Sequence, residues 1–280
     1  MFDFSGFINS VSRPLIMGIV NASGDSFSGN GHASADSALA VGLAHLDCGA
    51  DLLDIGGEST RPGAKETSGS LELNRVLPVV RNLKKVHPEV VLSVDTRHAD
   101  VARAALAAGA GIINDVSMLR HAPEIAAVVA EYNAGLIISH SRGTPETMMR
   151  DEFCCYPDGV AEMVASELAE AQEKAVAYGV KKENIMLDPG IGFAKTPEQC
   201  WELLDNLEKI APLNRLLIGV SRKSFLGALT GEKDPVRRNG ETLALELLLA
   251  SGGVGMIRTH GVKELFRGLM VMRKTRRNIG

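Results

Sequence analysis

In Asn184-Ile185-Met186-Leu187-Asp188-Pro189-Gly190-Ile191-Gly192-Phe193-Ala194-Lys195, an apolar run too short for an independent helix stops at a carboxylate. A proline and two glycines then open a loop that carries an aromatic ring and a lysine. This is the pattern of a buried strand that delivers a site. A strand covered on both faces reads as a continuous apolar run, and in parallel α/β folds ligands gather where such strands end.

The same construction recurs on both sides. Leu15-Ile16-Met17-Gly18-Ile19-Val20 ends in Asn21, and Asp51-Leu52-Leu53-Asp54-Ile55-Gly56-Gly57 runs into Glu58-Ser59-Thr60-Arg61-Pro62-Gly63-Ala64. Val90-Val91-Leu92-Ser93-Val94 ends at Asp95-Thr96, Ile112-Ile113 at Asn114-Asp115, and Leu136-Ile137-Ile138 at Ser139-His140. Beyond the opening stretch, Leu216-Leu217-Ile218-Gly219-Val220 reaches Ser221-Arg222-Lys223-Ser224, and Gly255-Met256-Ile257 reaches Arg258-Thr259-His260.

Helical patterns are expected at 35–50, 70–86, 99–110, 123–132, 160–178, 196–210, 242–250 and 262–277. In the fifth, Val160, Val164, Leu168, Ala171, Ala175 and Tyr178 form one apolar face opposite Glu162, Glu170 and Glu173. Thr196 is placed as an N-cap, with Pro197 at the first helical position and Glu198 in the first turn. Eight strand-then-helix units without a linker predict an α/β fold, a (β/α)8 TIM barrel in one domain over 1–280 with its core at about 15–277. A doubly wound sheet is the competing closure, but no GxGxxG follows the first strand.

With 280 residues, 45% of them apolar, the chain can bury one large core. A net charge of -4 and a pI near 6.0 do not suggest a nucleic-acid-binding surface. Cys48, Cys154, Cys155 and Cys200 show neither CxxC nor zinc spacing, so reduced thiols and a cytoplasmic location are expected. No secretory signal pattern and no membrane-length apolar run is seen. GxxxxGK[ST], HExxH and GxSxG are also missing, which removes the usual support for Walker-loop phosphate binding, zinc proteolysis and serine hydrolysis.

At the strand ends, Asp95, Asn114 and Asp188 suit a donor-rich heterocycle such as a pterin or purine edge. An Asp in that place also caps helices and starts turns, a competing role for each one singly. Arg258 and His260 precede the last helix and read as a phosphate clamp, against the plainer role of structural hydrogen bonding. Asn21 is a neutral oxygen ligand available to Mg²⁺ held mainly by phosphate oxygens. Lys223 is placed to approach a ring carbonyl or nitrogen, and Ser224 to take a carboxylate; a solvated basic turn is the alternative.

Taken in order, these strings resemble the bacterial dihydropteroate synthases: Met17-Gly18-Ile19-Val20-Asn21 with Asp25-Ser26-Phe27, then 56–64, Ser93-Val94-Asp95-Thr96, Ile113-Asn114-Asp115, 187–193, 221–224 and 258–260. The resemblance runs from about residue 15 to the last helix. It implies condensation of 6-hydroxymethyl-7,8-dihydropterin pyrophosphate with p-aminobenzoate, releasing pyrophosphate, on the folate pathway. It further implies that Asp95, Asn114, Asp188 and Lys223 hold the pterin, and that Asn21, Arg258 and His260 bind pyrophosphate with its Mg²⁺. Thr60, Arg61, Pro62, Phe193 and Ser224 would frame the p-aminobenzoate pocket, and Asp95, Lys223 and Arg258 would carry catalysis. A homodimer is implied by resemblance alone. The related methyltetrahydrofolate methyltransferases and a silent pterin binder are the alternatives.

The first loop departs from the family's pattern, with Gly24 in place of a proline, Gly29 in place of an acidic residue, and Ala194 replacing glycine further on. Gly24 removes a fixed φ, so the 22–32 loop is expected to be mobile and to lose roughly 1 kcal/mol or less on ordering. This loop and 58–69 are the expected lids.

Overall fold

The computed structural model describes residues 2–22 and 31–279. Gly24, Gly29 and most of the expected first lid therefore lie outside the described residues.

The strands are β1 (Leu15–Asn21), β2 (Leu52–Gly56), β3 (Val91–Asp95), β4 (Ile112–Asp115), β5 (Gly135–Ser139), β6 (Ile185–Asp188), β7 (Leu217–Ile218) and β8 (Met256–Thr259). All paired neighbours are parallel, in the order β6-β5-β4-β3-β2-β1-β8-β7. The remaining seam closes at a bridge between Leu187 and Leu216, with Leu187 N–H donating to Arg215 O at 3.0 Å. The helices are α1 (Phe4–Ile8), α2 (Gly31–Asp47), α3 (Gly69–Val86), α4 (Ala99–Ala107), α5 (Ile125–Tyr132), α6 (Val160–Ala177), α7 (Pro197–Asp205), α8 (Ser224–Thr230), α9 (Asn239–Ser251) and α10 (Val262–Ile279). The architecture is the expected (β/α)8 barrel.

Strand side chains alternate between two cores because successive residues point to opposite faces. Outward residues such as Leu53, Val94, Ile113, Ile138, Leu187 and Ile257 pack under the helices. Inward residues Leu15, Met17, Leu52, Ile112, Ile137, Met186, Leu217 and Met256 fill the lower barrel. Two residues further along the same face the inward positions turn polar: Asp54, Ser93, Asp95, Asn114, Ser139, Asp188 and Arg258. The barrel is thus apolar at its base and polar at the C-terminal ends of its strands.

The base is plugged by α1, a stretch that sequence patterning reads only as a lead-in. Asp3 accepts the Gly6 N–H at 2.9 Å to start this single turn, and Phe4 and Ile8 enter the lower core. Gly135 makes the room: a Cβ there would lie 2.4 Å from the Phe4 ring. An added methyl at that point would overpack the plug, at a cost of roughly 1–3 kcal/mol.

Other boundaries differ for local reasons. The seventh strand is only two residues long, because a turn with Lys223 N–H donating to Val220 O at 3.2 Å begins just beyond it. The helix expected to reach 210 stops at Asp205. Asn206 leaves helical geometry at φ -124°, and its amide caps Glu202 O at 2.8 Å. Ser224, read from sequence as the start of a helix, opens the short helix α8, which ends at Thr230. The first large helix starts at Gly31, ahead of the expected 35.

Candidate active site

Polar inward residues on adjacent strands join in one belt. Arg258 Nε donates to Asp54 Oδ2 at 2.6 Å, and its Nη2 to Asp95 Oδ2 at 3.1 Å. Asn114 Nδ2 reaches the same Asp54 oxygen at 3.2 Å. Ser139 Oγ lies 3.4 Å from Asn114 Oδ1 and 3.1 Å from Asp188 Oδ2, and Asp188 Oδ1 accepts the Gly190 N–H at 2.8 Å. Asp95, Asn114, Asp188 and Arg258, the strand-end residues expected from sequence, are therefore brought together.

Asp54 and Ser139 are absent from that expected set, yet they hold the belt together. Their signal lies in the chain as a carboxylate and a hydroxyl within otherwise apolar strand runs, in register with the strand-end residues. Asp54 Oδ1 and Ser93 Oγ are buried without a protein partner among the described residues. Burial raises the Asp95 carboxyl to about 7, Arg258 pulls it back, and Asp54 adds to the rise. Burial opposes the charge on Arg258, but Asp54 and Asp95 outweigh it and hold the guanidinium above its ordinary value. Asp115 turns away from the belt. It accepts Ser117 N–H at 2.8 Å and Leu119 N–H at 2.6 Å, shaping the loop after β4.

The loop from Pro189 to Ala194 forms one side of the mouth. Lys223 donates to Ile191 O, and its ammonium lies 4.5 Å from the centroid of the half-buried Phe193 ring. Burial lowers the Lys223 pKa, opposed by Asp188. Ser224 is exposed at the first position of α8. On its other flank Phe193 lines a cavity of about 200 Å³ with Thr60, Val116, Pro145 and Met148.

Thr60 is half-buried, while Arg61 and Pro62 are exposed on the loop after β2. That expected lid is fastened at both ends. Arg97 donates to Glu58 through Nε and Nη2, both at 2.9 Å, and to Glu66 through Nη1 at 2.8 Å. Between them, Gly63 N–H donates to Pro145 O at 2.8 Å. A strand-end arginine binding two acids across a loop becomes visible only once the loop is folded back.

Asn21 is exposed at the end of β1, where a phosphate-bound cation would be open to solvent. Its single neutral oxygen fits a supporting role toward Mg²⁺, whose other ligands would be phosphate oxygens and water. Among the described residues no cluster of three His, Cys, Asp or Glu side chains forms a metal site. His260 Nδ1 lies 3.0 Å from Ser221 Oγ, which also accepts the His260 backbone N–H at 3.1 Å. That hydroxyl gives its hydrogen to Nδ1, leaving Nε2 as the donor. Burial first, then the nearby Arg222 and Arg258, pull the His260 pKa down to about 3, so this half of the expected clamp is a neutral imidazole.

Residues 17–260 match the pterin-binding enzyme family, and the chain belongs to it. Within that family its relatives include dihydropteroate synthases. It is 41% identical over 255 residues to the enzyme of Synechocystis sp., covering 90% of this chain and 87% of that one. The Xanthomonas albilineans dihydropteroate synthase solved with 4-aminobenzoic acid superposes with a TM-score of 0.86 at 38% identity, covering 95% of this chain and 94% of that one. The Yersinia pestis enzyme solved with a sulfonamide drug gives 0.87 at 37% identity, covering 98% and 96%.

Proposed function

We propose that this chain joins 6-hydroxymethyl-7,8-dihydropterin pyrophosphate to p-aminobenzoate, giving 7,8-dihydropteroate and pyrophosphate in folate biosynthesis. The observation that carries this reading is the belt from Asp188 to Asp95 inside a pterin-binding barrel. Asp95, Asn114 and Asp188 present oxygens to the amino and ring N–H groups of a pterin, and the unpartnered Asp54 Oδ1 offers one more. Lys223 reaches the ring's carbonyl or nitrogen. Phe193, Thr60, Arg61 and Pro62 frame the arylamine and Ser224 meets its carboxylate; that the ligand is an arylamine is supported by the Xanthomonas albilineans relative, which was solved with 4-aminobenzoic acid.

The reaction we infer is dissociative. The C–O bond to pyrophosphate breaks first, the pterin methylene becomes cationic, and the arylamine nitrogen attacks it. An arylamine is already a usable nucleophile, so the protein contributes position, charge stabilisation and exclusion of water. The carboxylates of the belt favour the developing cation; Arg258 and the His260 N–H favour the departing pyrophosphate. Mg²⁺, held by pyrophosphate with help from Asn21, would neutralise charge on that leaving group.

Pyrophosphate release with and without p-aminobenzoate, with the pterin product identified by mass, tests the reading. Release with dihydropteroate formation supports it. Pterin binding without that product favours a silent binder and overturns it. We also infer a single domain over 1–280, cytoplasmic and homodimeric. Among the described residues no helix is long and apolar enough to cross a membrane, and exposed Leu248 on α9 with Met270 and Val271 on α10 supplies apolar surface for a second copy. Sedimentation at several concentrations measures the oligomeric state.

A further inference from the structure

The lysine that closes the 184–195 stretch has no part in the reaction above, yet it is among the largest fully buried side chains. Lys195 is 2% exposed, and no acidic side chain among the described residues pairs with it. Its Nζ donates instead to Phe193 O at 3.0 Å, Gly190 O at 3.2 Å and His140 Nδ1 at 2.9 Å. An ammonium group has three hydrogens, so three acceptors saturate it.

Two of those acceptors belong to the turn that carries Phe193. This turn is held in a demanding shape: Gly190, Gly192 and Ala194 have φ of +66°, +81° and +50°. For alanine the left-handed region costs roughly 1–2 kcal/mol, and such strain persists where the surroundings over-determine it. Tyr156 Oη donates to Ala194 O at 3.0 Å, and a Cβ on Gly190 would stand 1.8 Å from His140 O. The turn therefore rests directly on the end of β5 with no slack.

The third acceptor extends the grip. With Nδ1 taken by Lys195, the neutral His140 carries its hydrogen on Nε2, which faces Glu167 Oε2 at 3.4 Å. Glu167 in turn pairs with Arg120 at 2.5 Å and with Arg142. The Phe193 turn is thus tied through Lys195 to His140, in the loop after β5, beside a Glu167 that Arg120 and Arg142 hold.

We propose that Lys195 is a positioning residue for the arylamine side of the site: its ammonium group locks the 189–194 turn through Gly190 O and Phe193 O and so sets Phe193. This rests on the reading of Phe193 as a wall of the p-aminobenzoate pocket. None of the three Lys195 hydrogen bonds reaches β3 or β4, so Asp95 and Asn114 stand apart from it.

Burial pulls the Lys195 pKa down to about 7. The nearby Cys200 and Asp188 raise it, while Lys223 and Arg142 lower it; His140, Tyr156 and Cys154 are further titratable groups around it. Above that pH the amine keeps two hydrogens for three acceptors, and the grip loosens as pH rises.

The test compares wild type with Lys195→Met, which keeps the stem and removes every donor, and with Lys195→Gln, which restores two. In Lys195→Met the KM for p-aminobenzoate should rise about tenfold or more, while that for the pterin pyrophosphate stays within about threefold; a displacement near 1 Å has effects of this order. The glutamine variant should fall between. The wild-type KM for p-aminobenzoate should climb as pH rises through about 7 and lose that step in Lys195→Met. An unchanged p-aminobenzoate KM in the methionine variant, or in the glutamine variant if methionine prevents folding, overturns the proposal. Amide hydrogen exchange over 189–194 gives a readout independent of turnover: faster exchange in either variant is expected, and unchanged protection would sink the positioning role. A wild type that makes no dihydropteroate would instead refute the reaction and leave the exchange result to judge the lock.

Discussion

Arg258 Nε lies 2.6 Å from Asp54 Oδ2, a pair 204 residues apart in the chain that meets inside the barrel because β8 and β2 both flank β1. Asp54 is fully buried, whereas the Arg258 side chain keeps 23% of its exposure. Asp54 thus acts as an inner anchor that aims the guanidinium toward the mouth.

Asp54→Ala should therefore cost more than a surface pair would. Breaking a buried pair costs roughly 3–5 kcal/mol, and the partial exposure of Arg258 places this one near the lower end. Urea unfolding should show the loss, and turnover should fall with it. A melt within error of wild type would show that Arg258 is aimed by Asp95 alone.

Glu246 offers a pH test. Burial raises its carboxyl to about 8, Thr259 opposes the rise, and one of its oxygens has no protein partner among the described residues. A raised acid keeps an extra proton in the folded state between about 4.5 and 8. Its contribution is thus full below the unfolded value and is lost as pH climbs toward the folded one. Glu246→Gln should be more stable than wild type at pH 8 by roughly 4 kcal/mol and within about 1 kcal/mol of it at pH 5. Glu72, also raised to about 8 by burial, leaves a similar slope in both proteins. Melting temperatures across that range decide it.

His260 is expected to donate from Nε2 without being charged. His260→Gln, whose amide nitrogen reaches a similar point, should hold the pterin pyrophosphate within about fivefold of wild type, and His260→Ala should lose about tenfold, a loss of one hydrogen bond to a charged group. With its pKa down near 3, the free enzyme should show no histidine step, so the kcat/KM profiles of wild type and His260→Gln should superimpose above about pH 5. A step near pH 6.5 present only in wild type would mean that this histidine charges before substrate arrives.

The start of α7 follows Lys195 directly and is closed by a capping box. Thr196 Oγ1 accepts Gln199 N–H at 3.3 Å, and Gln199 Oε1 accepts Thr196 N–H at 2.9 Å. Thr196→Ala should cost about 1 kcal/mol in denaturant unfolding. A cost near zero would mean that packing alone holds this end.

Much of this architecture is legible in the chain because each strand announces itself locally. Asn184 to Lys195 shows its strand, its stop and its loop in one short stretch, and Thr196 with Pro197 marks the next helix by capping chemistry. Asp95, Asn114, Asp188 and Arg258 are legible for the same reason: each is a polar inward residue at the close of an apolar run. Asp54 and Ser139 hide inside such runs, and only the two-residue alternation with a known inward face gives them their meaning. The plug α1 is not legible, since one turn of five residues carries almost no periodicity.

The eight units, their closure into a barrel and the set of polar strand ends are written in the amino-acid order, because they follow from apolar runs, breakers and caps that act over a few residues. Which polar groups meet is settled by folding in three dimensions. Arg258 joins Asp54 and Asp95 across the barrel, Arg97 clasps Glu58 and Glu66, and Lys195 donates to two carbonyls and a histidine. Such pairings depend on strand register and loop path, and desolvation then fixes their protonation. Neither can be read from spacing along the chain, because the partners become neighbours only when the sheet closes.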